Sequence, residues 1–247
     1  MHFLDEVWHW FATGSNWTGS NGIGERALLQ VELSAAVIFA AAFLGIGLGF
    51  VLGHFQRGGF IAVNSANAAR AVPSLALMTL LVIWPLVSLK GGGADAAFLT
   101  LLALAIPPVL TNAYVGMREV DPDVNEAAKG VGLSGWQRFW RVEIPLAAPL
   151  AVAGLRTAAV EVVATSTLAA YVSLNDLGGF IFAGLNTNDT VEMFSGALLV
   201  AVLAALTDTV LRACYRLVTP EPLRHSSTYR ARSRGVLRSI RPVAEAA

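Results

Sequence analysis

Residues 33–53, 71–89 and 96–117 each run 19 residues or longer without a charged side chain. A helix rising 1.5 Å per residue needs about 20 residues to cross roughly 30 Å of hydrocarbon, where each backbone N–H and C=O must be bonded internally. Two further apolar stretches, 146–174 and 193–211, are long enough but carry internal charges. The expectation is an all-α polytopic membrane protein with five spans. Composition agrees, with 55% apolar and 14% charged residues against about a quarter charged in soluble domains.

Orientation follows from the cations, because Lys and Arg concentrate in cytoplasmic connections. Five spans alternate sides and divide the connections into two sets. One set holds Arg57, a central elbow (Arg118, Lys129, Arg138, Arg141) and eight arginines from Arg212 onward, 13 in all. The other holds Arg26 and Lys90, while 173–192 has none. This predicts an outside N-terminus and a cytoplasmic C-terminus.

Three regions follow. Residues 1–27 read as an extracytoplasmic amphipathic segment with Trp8, Trp10 and Trp17 as interfacial anchors. Residues 28–218 form the membrane domain, dense in small residues that let helices approach closely. Residues 219–247 are polar and basic, and are expected to be disordered or to lie on anionic lipid. The net charge of zero hides the asymmetry of the cations and says nothing global about nucleic acid, which is not expected as a partner; the single Cys214 forms no intrachain disulfide and reads as a small apolar filler.

The elbow has its own punctuation. Asp121 is a suitable N-cap with Pro122 as first helical residue, and Gly130 or Gly132 can end that short helix in a left-handed conformation. Ser134 and Gln137 match the capping box of a second short helix, ending at Pro145. On it Leu133, Trp136, Phe139 and Trp140 share one face, opposite Gln137, Arg138 and Arg141. Locally this fits an interfacial helix hairpin as well as a docking platform.

The spacing narrows the choice. Counting from Glu126 of Glu126-Ala127-Ala128, Gly132 is six residues on, Val142 is 16, Ile144 is 18 and Pro145 is 19. This resembles the "EAA…G…I-LP" loop of permease subunits of binding-protein-dependent ATP-binding cassette importers, with Val142 and Ile144 as conservative departures. "ARAVPSLALMTLL" (69–81), "GLRTAAVEVVATSTLAAYV" (154–172) and "LGGFIFAGL" (177–185) are similar to the subfamily importing glycine betaine, choline, carnitine and related osmoprotectants. The resemblance implies the type I importer permease fold, a bacterial inner-membrane location and a coupling loop over 119–146. In that loop Glu126, Ala127, Ala128, Gly132, Trp136 and Pro145 would engage an ATPase. It also implies an ATP-binding subunit dimer, a second permease chain, identical or related, and an extracytoplasmic solute-binding protein. Glu161 departs from the uncharged residue expected at its position.

ATP and magnesium would be bound by the partner ATPase. The phosphate-cradling G-x-x-x-x-G-K-[ST] loop requires Lys after Gly, and Lys90 and Lys129 follow Leu and Ala. No cofactor or metal is expected of this chain, whose histidines lie at ends or in loops and whose one cysteine offers no ligand cluster. The same placement argues against an intramembrane hydrolase. A permease for another small solute such as an amino acid, and an ATPase-independent channel, are the alternatives.

Arg156, Glu161 and Asp208 fall within spans, where an unpaired charge costs several kcal/mol. Asp208 and Arg212, four apart, are placed for a local pair. Arg156 and Glu161, five apart, cannot meet along one helix face. Glu161, a turn away from Thr157 and from Thr165, either lines a translocation pathway with Arg156 and Thr165 or pairs with another helix. Tyr114 and Tyr171 are isolated and build no aromatic cage, so high-affinity selection is expected of the binding protein.

Overall fold

In the computed structural model, residues 2–56, 58–84, 92–172 and 174–218 are described. Arg57, Pro85, Lys90, the Cys214 side chain and the basic tail from 219 lie outside the described residues, and so do the expectations placed on them. The elements are helical: α1 (His2–Ala12), α2 (Ile23–Phe55), α3 (Gly59–Ala69), α4 (Ser74–Ile83), α5 (Gly93–Arg118), α6 (Pro122–Gly130), α7 (Gly135–Val172), α8 (Gly178–Thr187) and α9 (Thr190–Val218).

Small residues set the packing. Gly45, Gly49 and Gly53 recur every four residues on α2, and a Cβ at any of them would collide with Val109, Ala113 or Met117, also four apart on α5. The two spans therefore run parallel along one seam, each ridge in the other's groove. On the other side of α5 the contact is antiparallel: Gly116 meets Ala147 and Leu150, and Gly154 meets Asn112 and Pro108 of α5. Val37, Ala41, Leu101, Ala105, Val109, Ala158 and Val162, from α2, α5 and α7, form the largest buried apolar cluster. Pro107 and Pro108 leave α5 helical throughout. The Asn112 amide donates to the Pro108 carbonyl at 2.8 Å. Gln30, fully buried, donates to Val163 O and accepts from Leu177 N–H, tying α2 to α7 and to the start of α8.

Among the described residues, four helices are long and apolar enough to cross a bilayer: Ile23–Phe55, Gly93–Arg118, Gly135–Val172 and Thr190–Ala213. The apolar stretch 71–89 differs. Its described part is helical only over Ser74–Ile83, about 15 Å at 1.5 Å per residue, preceded by a break after α3. Pro73 causes the break, since it lacks an N–H and pushes Val72 out of the helical region. The connection 173–192 contains α8, folded back on α9 with Gly184 against Met193 and Gly196 against Phe180. Helix α1 packs on this hairpin through Trp10–Phe180 and Phe3–Phe194, each 5.3 Å between ring centroids. The tryptophans divide accordingly: Trp8 and Trp17 are exposed, whereas Trp10 is half-buried in the bundle and is not a surface anchor.

Candidate functional site

The elbow folds as its caps dictate in its first half. Asp121 Oδ1 accepts the Asp123 N–H at 2.9 Å, and Pro122 opens α6. Of the two glycines, Gly132 takes the left-handed conformation (φ +87°). Gly132 N–H donates to Lys129 O and Leu133 N–H to Ala128 O, the paired bonds of a Schellman stop. Ser134 and Gln137 then complete a reciprocal capping box, at 3.3 and 2.9 Å.

The second half departs from expectation. Only Gly135–Arg138 is a separate α turn; a π turn over Phe139–Glu143 follows, and the chain continues as α-helix over Ile144–Thr165. Pro145 therefore does not end a short helix. It lies in the first turn after the register shift, where its missing N–H costs least.

The anticipated aromatic face is split by burial. Phe139 is buried with Phe50, Ala113, Met117, Ala147 and Ala151. Trp136 stacks on it at 5.3 Å and 18°, yet Trp136 and Trp140 remain 67% and 54% exposed. Glu126 and Ala127 are exposed on α6, while Ala128 is buried beneath it. Below the elbow is a cavity of about 390 Å³ whose lining includes His54, Arg118, Glu126, Lys129, Arg138 and Glu143.

Glu143 joins the elbow to the bundle. Its carboxylate accepts from Arg138 Nε at 2.8 Å and faces His54 Nδ1 at 2.5 Å, with only 5% of the residue exposed. Sequence reading missed both Glu143 and His54, which are 89 residues apart. The available signal was a carboxylate at the mouth of an apolar span with no cation one helical turn away.

At span depth the charges are paired across helices. Asp208 accepts from Arg212 at 2.9 Å, as its spacing implied, and from Arg156 through two bonds at 2.5 and 3.1 Å. Glu161 accepts from Arg70 Nη2 at 2.6 Å. Arg156 thus faces α9 and Glu161 faces the junction between α3 and α4, so these two residues do not share one site. Thr157 is exposed and Thr165 half-buried on the Glu161 stripe of α7.

On the opposite end from the elbow, Asp176 is fully buried ahead of α8, with neither carboxylate oxygen in a hydrogen bond. Burial pushes its carboxyl up to about 7, partly offset by the Gly178 and Gly179 N–H groups, which are near it but outside hydrogen-bond geometry, and by Arg26.

Residues 37–222 match the family described as "Binding-protein-dependent transport system inner membrane component". The chain belongs to that family. This permease is 33% identical to the glycine betaine/carnitine/choline transport system permease protein OpuCB of Bacillus subtilis, over 79% of its own length and 87% of that protein's. It is 32% identical to the choline transport system permease protein OpuBB of the same organism, over 77% and 86%. Among solved structures, its fold is similar to a chain of the MetNI methionine ABC transporter in an inward-facing form. That likeness has a TM-score of 0.66 at 22% identity, covering 80% of this permease and 96% of that chain. The permease is accordingly an all-α, multi-pass membrane protein with the fold of an importer's membrane subunit.

Proposed function

We propose that this chain is the membrane subunit of an importer for osmoprotectants of the glycine betaine, choline and carnitine kind, driven by a separate ATPase dimer. The relatives' transport systems supply the solute class. The observation that carries the mechanism is the elbow: the exposed, doubly capped α6 is joined by the short turn 131–134 to α7, whose own capped first turn runs through a π turn into the span. A push on α6 therefore has a short route into the bundle. In this reading Glu126 and Ala127 face the ATPase, and Ala128 and Gly132 shape the docking turn. Trp136 fills the ATPase groove, and Pro145 begins the span. The basic elbow and tail lie in the cytoplasm, the N-terminus outside, and a second permease chain and a solute-binding protein complete the assembly. Alternating access follows as the two elbows of the pair approach and separate. Within the bundle, Glu161 and Thr165 line the route, while Arg156 braces α7 against α9.

The test reconstitutes the full complex with its ATPase. Glu126→Arg is expected to abolish ATP-driven uptake and weaken co-isolation of the ATPase. Unchanged uptake by that variant overturns the coupling role.

A further inference from the structure

The Arg70–Glu161 pair ties the C-terminal end of α3 to α7. The partners are 91 residues apart in sequence, and their side chains are 39% and 28% exposed. A partly open ion pair at span depth cannot face hydrocarbon; it faces water or another chain. Exposed polar side chains lie one helical turn from each partner: Asn67 on α3, three residues before Arg70, and Thr157 on α7, four before Glu161. Arg70 caps the C-terminal end of α3, immediately before the non-helical turn into Pro73, so its carrier is not clamped by helix on both sides.

Opening such a pair leaves two charges without a partner, a cost that solvent on their exposed sides reduces but does not remove. An entering solute offsets that cost only if it brings both signs. A monocation satisfies Glu161 and strands Arg70. A zwitterion can do both, with its ammonium head on Glu161 and its carboxylate on Arg70, whose charge also suits the carbonyl end of α3.

We propose that Arg70 and Glu161 form a solute-displaced gate that binds zwitterionic quaternary-ammonium solutes between them and disfavours monocations such as choline. This rests on the importer reading above and deepens it, naming which osmoprotectants the membrane subunit itself prefers.

The probe is glycine betaine, with choline as comparator, added to the permease–ATPase complex in lipid nanodiscs without binding protein. Saturation-transfer NMR on the trimethylammonium methyl protons reads weak binding directly. The wild type is expected to bind betaine at least about tenfold more tightly than choline, the equivalent of one lost charge contact. Glu161→Gln should remove the betaine signal, and Arg70→Gln should reverse the preference in favour of choline. The double variant Arg70→Gln/Glu161→Gln leaves no lone charge, so it guards against misfolding, and it should bind both solutes equally weakly. A betaine preference that survives in the double variant, or an undiminished betaine signal in Glu161→Gln, overturns the gate. Uptake into vesicles is read separately. Betaine transport without Glu161-dependent binding overturns the gate and leaves the importer standing. Glu161-dependent binding without uptake of any quaternary solute supports the gate and overturns the importer.

Discussion

His54, in the last turn of α2, lies 2.5 Å from the carboxylate of Glu143 at the foot of α7. The elbow-side ends of two spans are thus joined through one buried acid, which Arg138 of the elbow also reaches. Removing one member of a buried ionic cluster strands the others.

Glu143→Gln is therefore expected to destabilise the permease by about 3 kcal/mol. Thermal unfolding in detergent, followed by tryptophan fluorescence, should show the lowered midpoint. Ser134→Ala, which removes only a cap, should cost about 1 kcal/mol. Its effect should be confined to faster amide exchange within the elbow.

The α2–α5 seam makes a contrast between glycines of one helix. A Cβ at Gly49 meets Ala113 Cβ and Leu110 O inside contact distance, whereas one at Gly47 meets nothing within 4 Å. Gly49→Ala should lower stability by about 1–3 kcal/mol through overpacking. Gly47→Ala should be neutral or raise it by up to about 1 kcal/mol, since Ala is the better helix former. Equal midpoints for the two variants would remove the seam from the account.

Asp176 gives a pH-dependent prediction. Its folded-state pKa is raised from 3.8 to about 7, so the fold favours the protonated acid. The favourable contribution is complete below about 4, declines as pH rises through 7, and is absent above it. Asp176→Asn should therefore be more stable than wild type above pH 7, by up to about 4 kcal/mol, and the advantage should shrink toward pH 4. A variant equally displaced at both pH values would contradict a titrating Asp176.

Trp10→Ala should release α1 from the α8–α9 hairpin. Trp10 stacks edge-on against both Phe180 and Phe11, and truncating a half-buried aromatic in such a cluster should cost about 1–2 kcal/mol. Limited proteolysis should then cut within residues 13–22, while Trp8→Ala, exposed, should leave that segment protected.

What the sequence made legible was local or one-dimensional. Uncharged length announced the long spans, and Asp121, Ser134 and Gln137 announced the caps, because each acts within four residues of itself. Hydropathy could not reveal that 71–89 breaks at Pro73, since Pro alters hydrogen bonding without altering apolar content. The Pro145 reading failed because a π turn lets one helix carry both elbow and span, a register change with no compositional mark. Pairings such as Glu143 with His54 and Glu161 with Arg70 depend on which helices touch. The number of charges inside spans implied partners, but only packing chose them.

The uninterrupted foot of α7 has a geometric corollary. Its regular segment Ile144–Thr165 has 22 residues, about 33 Å of rod. Over that length a tilt of about 10° imposed at the base swings the far tip by roughly 6 Å, about the width of a small organic cation. Leverage alone, without any helix unwinding, converts a slight rotation at one membrane face into an aperture at the other.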